Sequence, residues 1–314
     1  MKYWVGLTDK KWFDYLSQLR PDEVNFWQPG GIKVFRAIEP GAPFLFKLHS
    51  PHNYIVGGGF YVRYSALPLS LAWEAFKEKN GAQNCEELRE LIRKHRGNDR
   101  ETEHDPVIGC IILTAPFFLE ESRWVPVPEN WGRGIQRGKT YNTEEANGAG
   151  LWAQVQENIR HVEELTAQDS AYASLAAEET GRYGSLYLTR ARLGQGTFRI
   201  LVTEAYNRRC AITAERTLPV LEAAHIKPHS ESGPNVTSNG LLMRSDLHKL
   251  FDLGYLTLTR NLNVEVSRRI REEYENGRDY YALHGRRLVI VPSNPNDRPA
   301  PGFLEWHNQH VFLG

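Results

Sequence analysis

Two histidines in a fixed order constrain this chain more than any other feature. His225 lies near the end of the apolar run 220–226, which predicts a strand. His248 lies in the segment 238–253, whose apolar spacing predicts an amphipathic helix that Asn239 opens. A polar loop separates the two elements. The pattern therefore places one histidine at a strand end and the other on the following helix.

Histidine suits two tasks in phosphate chemistry. Its ordinary pKa lies near neutral pH, so the neutral ring can take a proton from water, and its nitrogen binds divalent metals. The order therefore predicts one histidine as general base and one as anchor of a cation that stabilises charge on a phosphate. Taken singly, each residue has a plainer interpretation. His248 alone is typical of an ordinary helix position, and Asn239 of a helix N-cap with Ser238 as its rival.

The segment 221–258 resembles the HNH nuclease motif, the ββα-metal fold, in its restriction-endonuclease-like branch. The resemblance rests on Ala224-His225-Ile226-x-Pro228, then Asn239 followed by Gly-Leu-Leu, then His248. It implies that His225 activates water for in-line attack on a phosphodiester. It also implies that Asn239 fixes the loop and that His248 binds the metal.

The chain departs from this pattern at one of the expected metal ligands. Many members place an aspartate directly before the first histidine, where this chain has Ala224. We expect Glu222, on the same strand face, or Asp246 to supply the missing carboxylate. Asp252 either orients His248 or is only a charge at the helix end. The expected ion is Mg²⁺ or Mn²⁺, with Ni²⁺ or Zn²⁺ as alternatives.

Two further residues near the motif bear on this interpretation. His229, in the loop, is a rival to His225 as the base, although its position fits the motif less well. Many members also carry two cysteine pairs that bind structural zinc, whereas Cys210 has no second thiol nearby. Four N or S ligands cannot be assembled there, so no structural zinc is expected.

Whole-chain charge conceals a local excess of arginine. The 38 Lys and Arg balance 38 Asp and Glu, which would argue against a nucleic-acid partner. Between 182 and 216, however, seven arginines stand against two glutamates, while 157–181 is acidic. A glycine-containing turn near the start of this stretch is flanked by arginines that we expect to contact DNA phosphates, namely Arg190, Arg192 and Arg199. The alternative is a surface turn with solvated arginines.

The chain is predicted to be α+β. Its length of 314 residues suggests two domains. Short apolar runs and helices at 9–19 and 70–79 make 1–156 a partly closed barrel with helical inserts. A helical linker is expected over 157–184. An α+β domain over 185–314 contains the strand 220–226, the helix 238–253 and a hairpin at 255–266.

The first 64 residues are rich in aromatic side chains, most of them typical of a core. The order of aromatic and polar groups resembles that of EVE-type PUA-like barrels. The segments that show this resemblance are Tyr3-Trp-Val5, Asn25-Phe-Trp27, Phe35-Arg-Ala37, the run 44–50 and Ile55-Val-Gly-Gly-Gly59. Such domains hold modified bases in an aromatic pocket. The resemblance implies a pocket of Trp27, His49 and Asn53, with Asn25, Ser50 and Trp73 behind them, although Asn53 is also typical of a plain turn.

An EVE-type domain joined to an HNH nuclease resembles modification-dependent restriction enzymes, which cut DNA carrying 5-methylcytosine or 5-hydroxymethylcytosine. The Gly-rich loop 131–139 would then grip the backbone around a flipped nucleotide through Arg133, Arg137 and Lys139, unless it is only a flexible surface loop. The alternatives are a nuclease for modified RNA and a non-catalytic modified-DNA-binding protein with a degenerate HNH fold, which Ala224 favours.

The expected partner is double-stranded DNA with modified bases, bound by a homodimer. No run of about 18 apolar residues occurs, and the N-terminus does not read as a signal peptide. The three cysteines are widely spaced and do not indicate a disulfide framework. These features predict a cytoplasmic protein without a membrane partner.

Overall fold

The computed structural model describes residues 1–31, 33–96, 103–132, 134–169 and 193–314, with the backbone alone over 161–169. The chain divides into two compact units, Met1–Arg192 and Leu193–Gly314. The domain limits at 156 and 184 stay a prediction, because 170–192 lie outside the described residues. No helix within the described ranges is long and apolar enough to cross a bilayer.

Seven strands of the first unit form one sheet. They are β1 (Lys2–Thr8), β2 (Glu23–Gln28), β3 (Pro43–Leu48), β4 (Tyr54–Pro68), β5 (Val107–Phe118), β6 (Val125–Pro126) and β7 (Gly138–Asn142). The order is β2-β5-β4-β3-β1-β7, with β6 paired to β4. The β1 and β3 strands are parallel, and the other pairs are antiparallel.

Helices cover both faces of this sheet. They are α1 (Lys10–Leu19), α2 (Leu69–Phe76), α3 (Cys85–Arg96) and α4 (Ala146–Asp169). Alternation along β3 directs Phe44 and Phe46 into a core that includes side chains of α1, while Leu45 joins a core that includes side chains of α4. The predicted strand at 34–37 is wrong, because this segment is irregular and only lends Phe35 to the first core.

The limits of several predicted elements change in this unit. Strand β2 went unpredicted because its Glu23 and Asn25 are polar yet fully buried, which removes the expected alternation. Helix α4 begins at Ala146, before the expected linker, because Leu151 and Val155 pack into the core. In the part of the chain that the structure describes, the outer strands β2 and β7 do not pair with each other, so the hydrogen-bonded sheet stays open.

The second unit contains two hairpins surrounded by helices. Its strands are β8 (Leu221–His225), β9 (Gly240–Arg244), β10 (Leu256–Leu258) and β11 (Val264–Val266). Its helices are α5 (Gln195–Ala205), α6 (Ser245–Asp252), α7 (Arg269–Tyr274), α8 (Arg278–Tyr281) and α9 (Pro301–His310). The predicted hairpin at 255–266 is confirmed as the β10–β11 pair.

The helix predicted over 238–253 is wrong in its first half. Residues 240–244 form β9, which pairs antiparallel with β8, and the helix begins at Ser245. The run Gly-Leu-Leu-Met is buried throughout, and a short apolar run of this kind fits a buried strand as well as a helix. A Cβ at Gly240 would lie 2.3 Å from Val202 of α5, so only glycine lets the strand approach this closely. The segment is therefore a strand–strand–helix unit.

A buried histidine makes the second unit sensitive to acid. His307 on α9 is 2% exposed, its Nε2–H donates to the Phe251 carbonyl at 3.1 Å, and the Thr257 hydroxyl donates to Nδ1 at 2.8 Å. Burial lowers the pKa of His307 to about 4. The ring is therefore neutral in the folded protein at pH values where the unfolded chain already binds a proton.

We expect the free energy of unfolding to fall as the pH falls from 6.5 to about 4. This contribution is fully present above pH 6.5, and about 3 kcal/mol of it is lost once the pH is below 4. Urea unfolding across this range should show a smaller pH dependence in His307→Gln than in the wild type, whereas the exposed His310→Gln should match the wild type. Equal slopes in all three proteins would contradict the assignment.

Candidate active site

Asn239 organises the loop between β8 and β9. Its side chain is fully buried, accepts from the Lys227 N–H at 2.9 Å, and donates to the Lys227 and Pro234 carbonyls at 2.9 and 3.0 Å. It ends the turn Thr237–Asn239 before β9, so the N-cap interpretation is wrong. One amide thus ties both ends of the loop together at the point where His225 ends its strand.

Replacing Asn239 should destabilise the protein. Asn239→Ala leaves three part-buried backbone groups around the loop without their side-chain partner, so the free energy of unfolding should fall by about 2–4 kcal/mol. Urea unfolding measures this change. The exposed Asn276→Ala is the matched control and should change stability by less than about 0.5 kcal/mol. A loss no greater than that of the control would contradict the role of Asn239.

Contacts on one face and at one edge of its imidazole ring hold His225 in place. Its ring stacks on Phe198 of α5 with centroids 3.8 Å apart and planes at 11°. Its Nε2 lies 2.8 Å from Oδ1 of Asn235. Burial lowers the pKa of His225, and the bond to Asn235 acts in the opposite direction. The ring is therefore neutral at neutral pH, as a base must be.

His248 on α6 lies between two carboxylates. Its Nδ1 is 2.7 Å from Glu222 Oε2, and its Nε2 is 3.2 Å from Asp252 Oδ2. Burial opposes the charged ring, but the bonds to Asp252 and Glu222 outweigh it and raise the pKa of His248. A cavity of about 490 Å³ opens here, lined by these three side chains together with Ser245, Asp246 and Lys249.

The chemistry of this donor set fits a divalent cation. Two carboxylates and one imidazole suit Mg²⁺ or Mn²⁺ and allow Zn²⁺ or Ni²⁺. Within the described ranges, no three His, Cys, Asp or Glu side chains already form a metal-binding arrangement, because Glu222 and Asp252 bond to His248 itself. Asp246 lines the same cavity, but Arg244 holds its carboxylate with two hydrogen bonds and lowers its pKa against the effect of burial. Asp252 is thus better placed than Asp246.

The basic residues predicted to contact DNA are only partly described. Arg190, Arg192 and Arg133 lie outside the described residues. Arg199 is half-buried on α5, one residue after the Phe198 ring that supports His225, and Arg137 is exposed. The amine of Lys139 donates to the Asn130 carbonyl at 2.8 Å and lies over the Tyr141 ring, so it is held against its own unit.

Two of the predicted pocket residues converge in the first unit. Asn25 and Trp27 lie on the same side of β2, and each bonds to Asn80: the Asn25 amide donates to Oδ1 at 2.9 Å, and the Trp27 indole to the carbonyl at 3.0 Å. Trp12 donates to the same carbonyl at 3.1 Å. Asn25 is fully buried and Trp27 half-buried, so Trp27 is the member that a ligand can reach.

His49 joins this group through residues that sequence reasoning missed. Its Nε2 lies 3.9 Å from one oxygen of Asp9, and His95 Nε2 lies 3.8 Å from the other. The His95 ring meets Trp27 edge-on with centroids 5.9 Å apart. Nothing in the local sequence marks Asp9, His95 or Asn80, because α1, α3 and the turn Lys77–Asn80 meet only in the fold.

Within the described residues, the remaining pocket candidates form no hydrogen bond with Trp27 or with its partner Asn80, although the Asn53 N–H donates to the His49 carbonyl at 3.4 Å. Asn53 accepts from the Lys47 amine at 2.9 Å, and that buried amine also lies over the Trp131 ring at 5.1 Å. Ser50 is exposed. Trp73 is half-buried on α2, and no hydrogen bond or ring contact joins it to the other candidates in the described part of the chain. The six predicted residues therefore do not form one cluster.

Known proteins resemble this chain in sequence and in fold. Residues 210–259 match the HNH_2 family of HNH endonucleases. No curated protein sequence matches the chain significantly. Among solved structures, the ASCH protein from Zymomonas mobilis is 8% identical with a TM-score of 0.33, covering 47% of this chain and 93% of its own. The modification-dependent TagI restriction endonuclease is 13% identical with a TM-score of 0.28, covering 92% of this chain and 75% of its own.

The predicted α+β class is confirmed. The first unit is mostly β, and the second unit contains the segment that matches the HNH endonucleases. The assignment of the first unit to the PUA-like barrels, and to their EVE type, stays a prediction.

Proposed function

We propose that this protein is a metal-dependent endonuclease that cuts double-stranded DNA beside a modified cytosine. The observation that carries the nuclease part is the HNH match over 210–259. In that segment His225 ends β8, Asn239 ends the turn before β9 and His248 lies on α6, which is the family's order. The reader part rests on the aromatic and polar group around Trp27. TagI, whose name describes a modification-dependent restriction endonuclease, is among the similar structures.

In the proposed reaction, the neutral His225 ring takes a proton from a water molecule. The water oxygen then bonds to phosphorus as the bond from phosphorus to the leaving oxygen breaks in line, and the leaving oxygen takes a proton from solvent. Asn239 keeps the loop closed so that His225 stays in place. A divalent ion held by His248, Glu222 and Asp252 would stabilise the charge on the phosphate and the leaving oxygen. Asp246 is the alternative carboxylate.

The arginines and lysine predicted from the sequence complete the DNA surface in this proposal. Arg199 lies beside Phe198 and so near the base, where a guanidinium can bind phosphate. Arg190, Arg192, Arg133, Arg137 and Lys139 are proposed to contact the backbone on the strength of the sequence. Because one HNH site cuts one strand at a time, double-strand cleavage would require a homodimer, which light scattering of the DNA complex tests.

The proposed reader holds a flipped 5-methylcytosine or 5-hydroxymethylcytosine against Trp27. The indole N–H is fixed on Asn80 and the ring makes a T-shaped contact with His95, so the indole plane is held before a base arrives. His49, with Asp9, supplies polar groups at the same place. Asn25 supports Trp27 from the buried side, while Asn53, Ser50 and Trp73 would act only from outside this group.

If Trp27 reads the modified base, its replacement should selectively lower the affinity for modified DNA. Trp27→Ala should weaken binding to a modified duplex by about 10- to 100-fold, because stacking of one base on an aromatic ring contributes about 1–3 kcal/mol. Trp27→Phe, which keeps an aromatic face, should lose less. Fluorescence anisotropy with matched modified and unmodified duplexes, in a buffer with EDTA, measures both. An equal loss on both duplexes would contradict a role in reading the base.

The two alternative functions suggested by the sequence would give different experimental results. A nuclease for modified RNA would cut the RNA version of a matched substrate faster than the DNA version. A non-catalytic reader, suggested by Ala224, would bind modified DNA without cutting it in Mg²⁺ or Mn²⁺. The cavity favours an active nuclease over a non-catalytic reader. The Glu222 and Asp252 carboxylates line it together with the His248 imidazole, so a metal-binding donor set is present without an aspartate at position 224.

A further inference from the structure

The loop residue Asn235 is bonded in a way that settles its orientation. Its Nδ2 donates to the Leu193 carbonyl, which can only accept. The amide oxygen must therefore face the other way, and it is this oxygen that lies 2.8 Å from His225 Nε2. Because an amide oxygen only accepts, the proton of the neutral His225 ring must be on Nε2.

The other ring nitrogen of His225, Nδ1, is the one that can accept a proton. Among the described residues, no group bonds to His225 Nδ1, and Phe198 covers one face of the ring at 3.8 Å. A ring with its proton on Nε2 carries its lone pair on Nδ1, which is the form that accepts a proton there. The stack on Phe198 and the bond to Asn235 together prevent the ring from turning over to exchange the two nitrogens.

We propose that Asn235 is a positioning residue, which holds His225 in the Nε2–H form so that Nδ1 takes the proton from water. The proposal rests on the proposed nuclease function and adds the atom that acts as base and the residue that selects it. When Nδ1 gains its proton, Nε2–H still donates to the Asn235 oxygen, so the bond persists in the charged ring. The charged and titratable groups around His225 are His229 in its loop, His248 on α6 and Asp252 at the end of α6.

The direct test is a nitrogen–proton correlation spectrum of the imidazoles in the full-length ¹⁵N-labelled protein, without metal or DNA. A His225→Gln spectrum assigns the His225 signals. In the wild type we expect an Nε2–H signal with slow exchange against solvent. Asn235→Ala should lose that signal through fast exchange, Asn235→Asp should keep it because a carboxylate also accepts, and the exposed Asn276→Ala should leave it unchanged. A His225 proton on Nδ1 in the wild type, or a slow Nε2–H in Asn235→Ala, would overturn the proposal.

Cleavage of modified plasmid DNA gives a second readout. Asn235→Ala should lower kcat by about 10- to 100-fold with KM nearly unchanged, because a misplaced base slows only the chemical step. Asn235→Asp should recover most of this rate at high pH, with the acid limb of its pH profile moved upward, because a carboxylate stabilises the charged ring. A rate in Asn235→Ala equal to the wild type would overturn the proposal.

The two readouts separate this inference from the function on which it rests. If the wild type cuts no nucleic acid, the proposed function fails, and the spectrum still decides whether Asn235 selects the Nε2–H form. If the wild type cuts DNA but the spectrum of Asn235→Ala matches that of the wild type, the inference about Asn235 alone fails.

Discussion

His225→Ala is expected to cut DNA about 10²- to 10⁴-fold more slowly than the wild type, which is the usual contribution of a positioned general base. The ring is neutral because burial lowers its pKa, and no group among the described residues bonds to its Nδ1. The loss should appear in kcat, since His225 is not proposed to hold DNA. Single-turnover cleavage of a modified plasmid, at saturating protein and Mg²⁺, measures the chemical step.

The matched control for this prediction is His229→Ala. His229 lies four residues further along the chain and is exposed, so its removal should leave the rate within about twofold of the wild type. Equal melting temperatures for the two variants would exclude unfolding as the cause of a difference. If instead His229→Ala abolishes cleavage and His225→Ala does not, the base is His229.

His248→Ala is expected to remove metal binding and to slow cleavage by at least about 10³-fold, because a divalent ion contributes several kcal/mol to charge stabilisation on a phosphate. EDTA should stop the wild type in the same way, and added Mg²⁺ or Mn²⁺ should restore it. The physical reason is the position of His248 between Glu222 and Asp252 in one cavity.

Binding of Mn²⁺ followed by electron paramagnetic resonance tests this prediction without any cleavage. Glu222→Gln and Asp252→Asn should each weaken Mn²⁺ binding, whereas Asp246→Asn should weaken it less because Arg244 already holds that carboxylate. His310→Gln, an exposed histidine of the same unit, is the control. Wild-type affinity for Mn²⁺ in His248→Ala would show that the ion is held elsewhere.

The placement of His225 at a strand end and of His248 on a helix was largely predictable from the sequence, because the HNH-like pattern is local. The strand before His225, the loop and the helix with His248 lie within about 30 residues, and short-range order is what periodicity reports. The error at 240–244 has a physical cause: a run of buried apolar residues looks the same in a strand and in a helix. The partner strand β8, which decides the matter, becomes visible only in the fold.

The group around Trp27 was less predictable, because it depends on distant parts of the chain. Trp27 and Asn25 were proposed from the resemblance to EVE-type domains, but Asn80, His95 and Asp9 come from three other elements. Asn235 was visible as a loop residue, yet its role needs the position of Leu193, 42 residues earlier. Hydrogen bonds of this range leave no trace in local spacing.

In the proposed function, the HNH site cuts DNA only where the protein has bound a modified cytosine. The most direct measurement is parallel digestion of one DNA sequence in three forms, unmodified, 5-methylated and 5-hydroxymethylated at cytosine, with Mg²⁺ or Mn²⁺ and with EDTA. We expect metal-dependent cleavage of at least one modified form and no comparable cleavage of the unmodified form. Equal cleavage of all three forms, or binding of modified DNA without any cleavage in either metal, would contradict it.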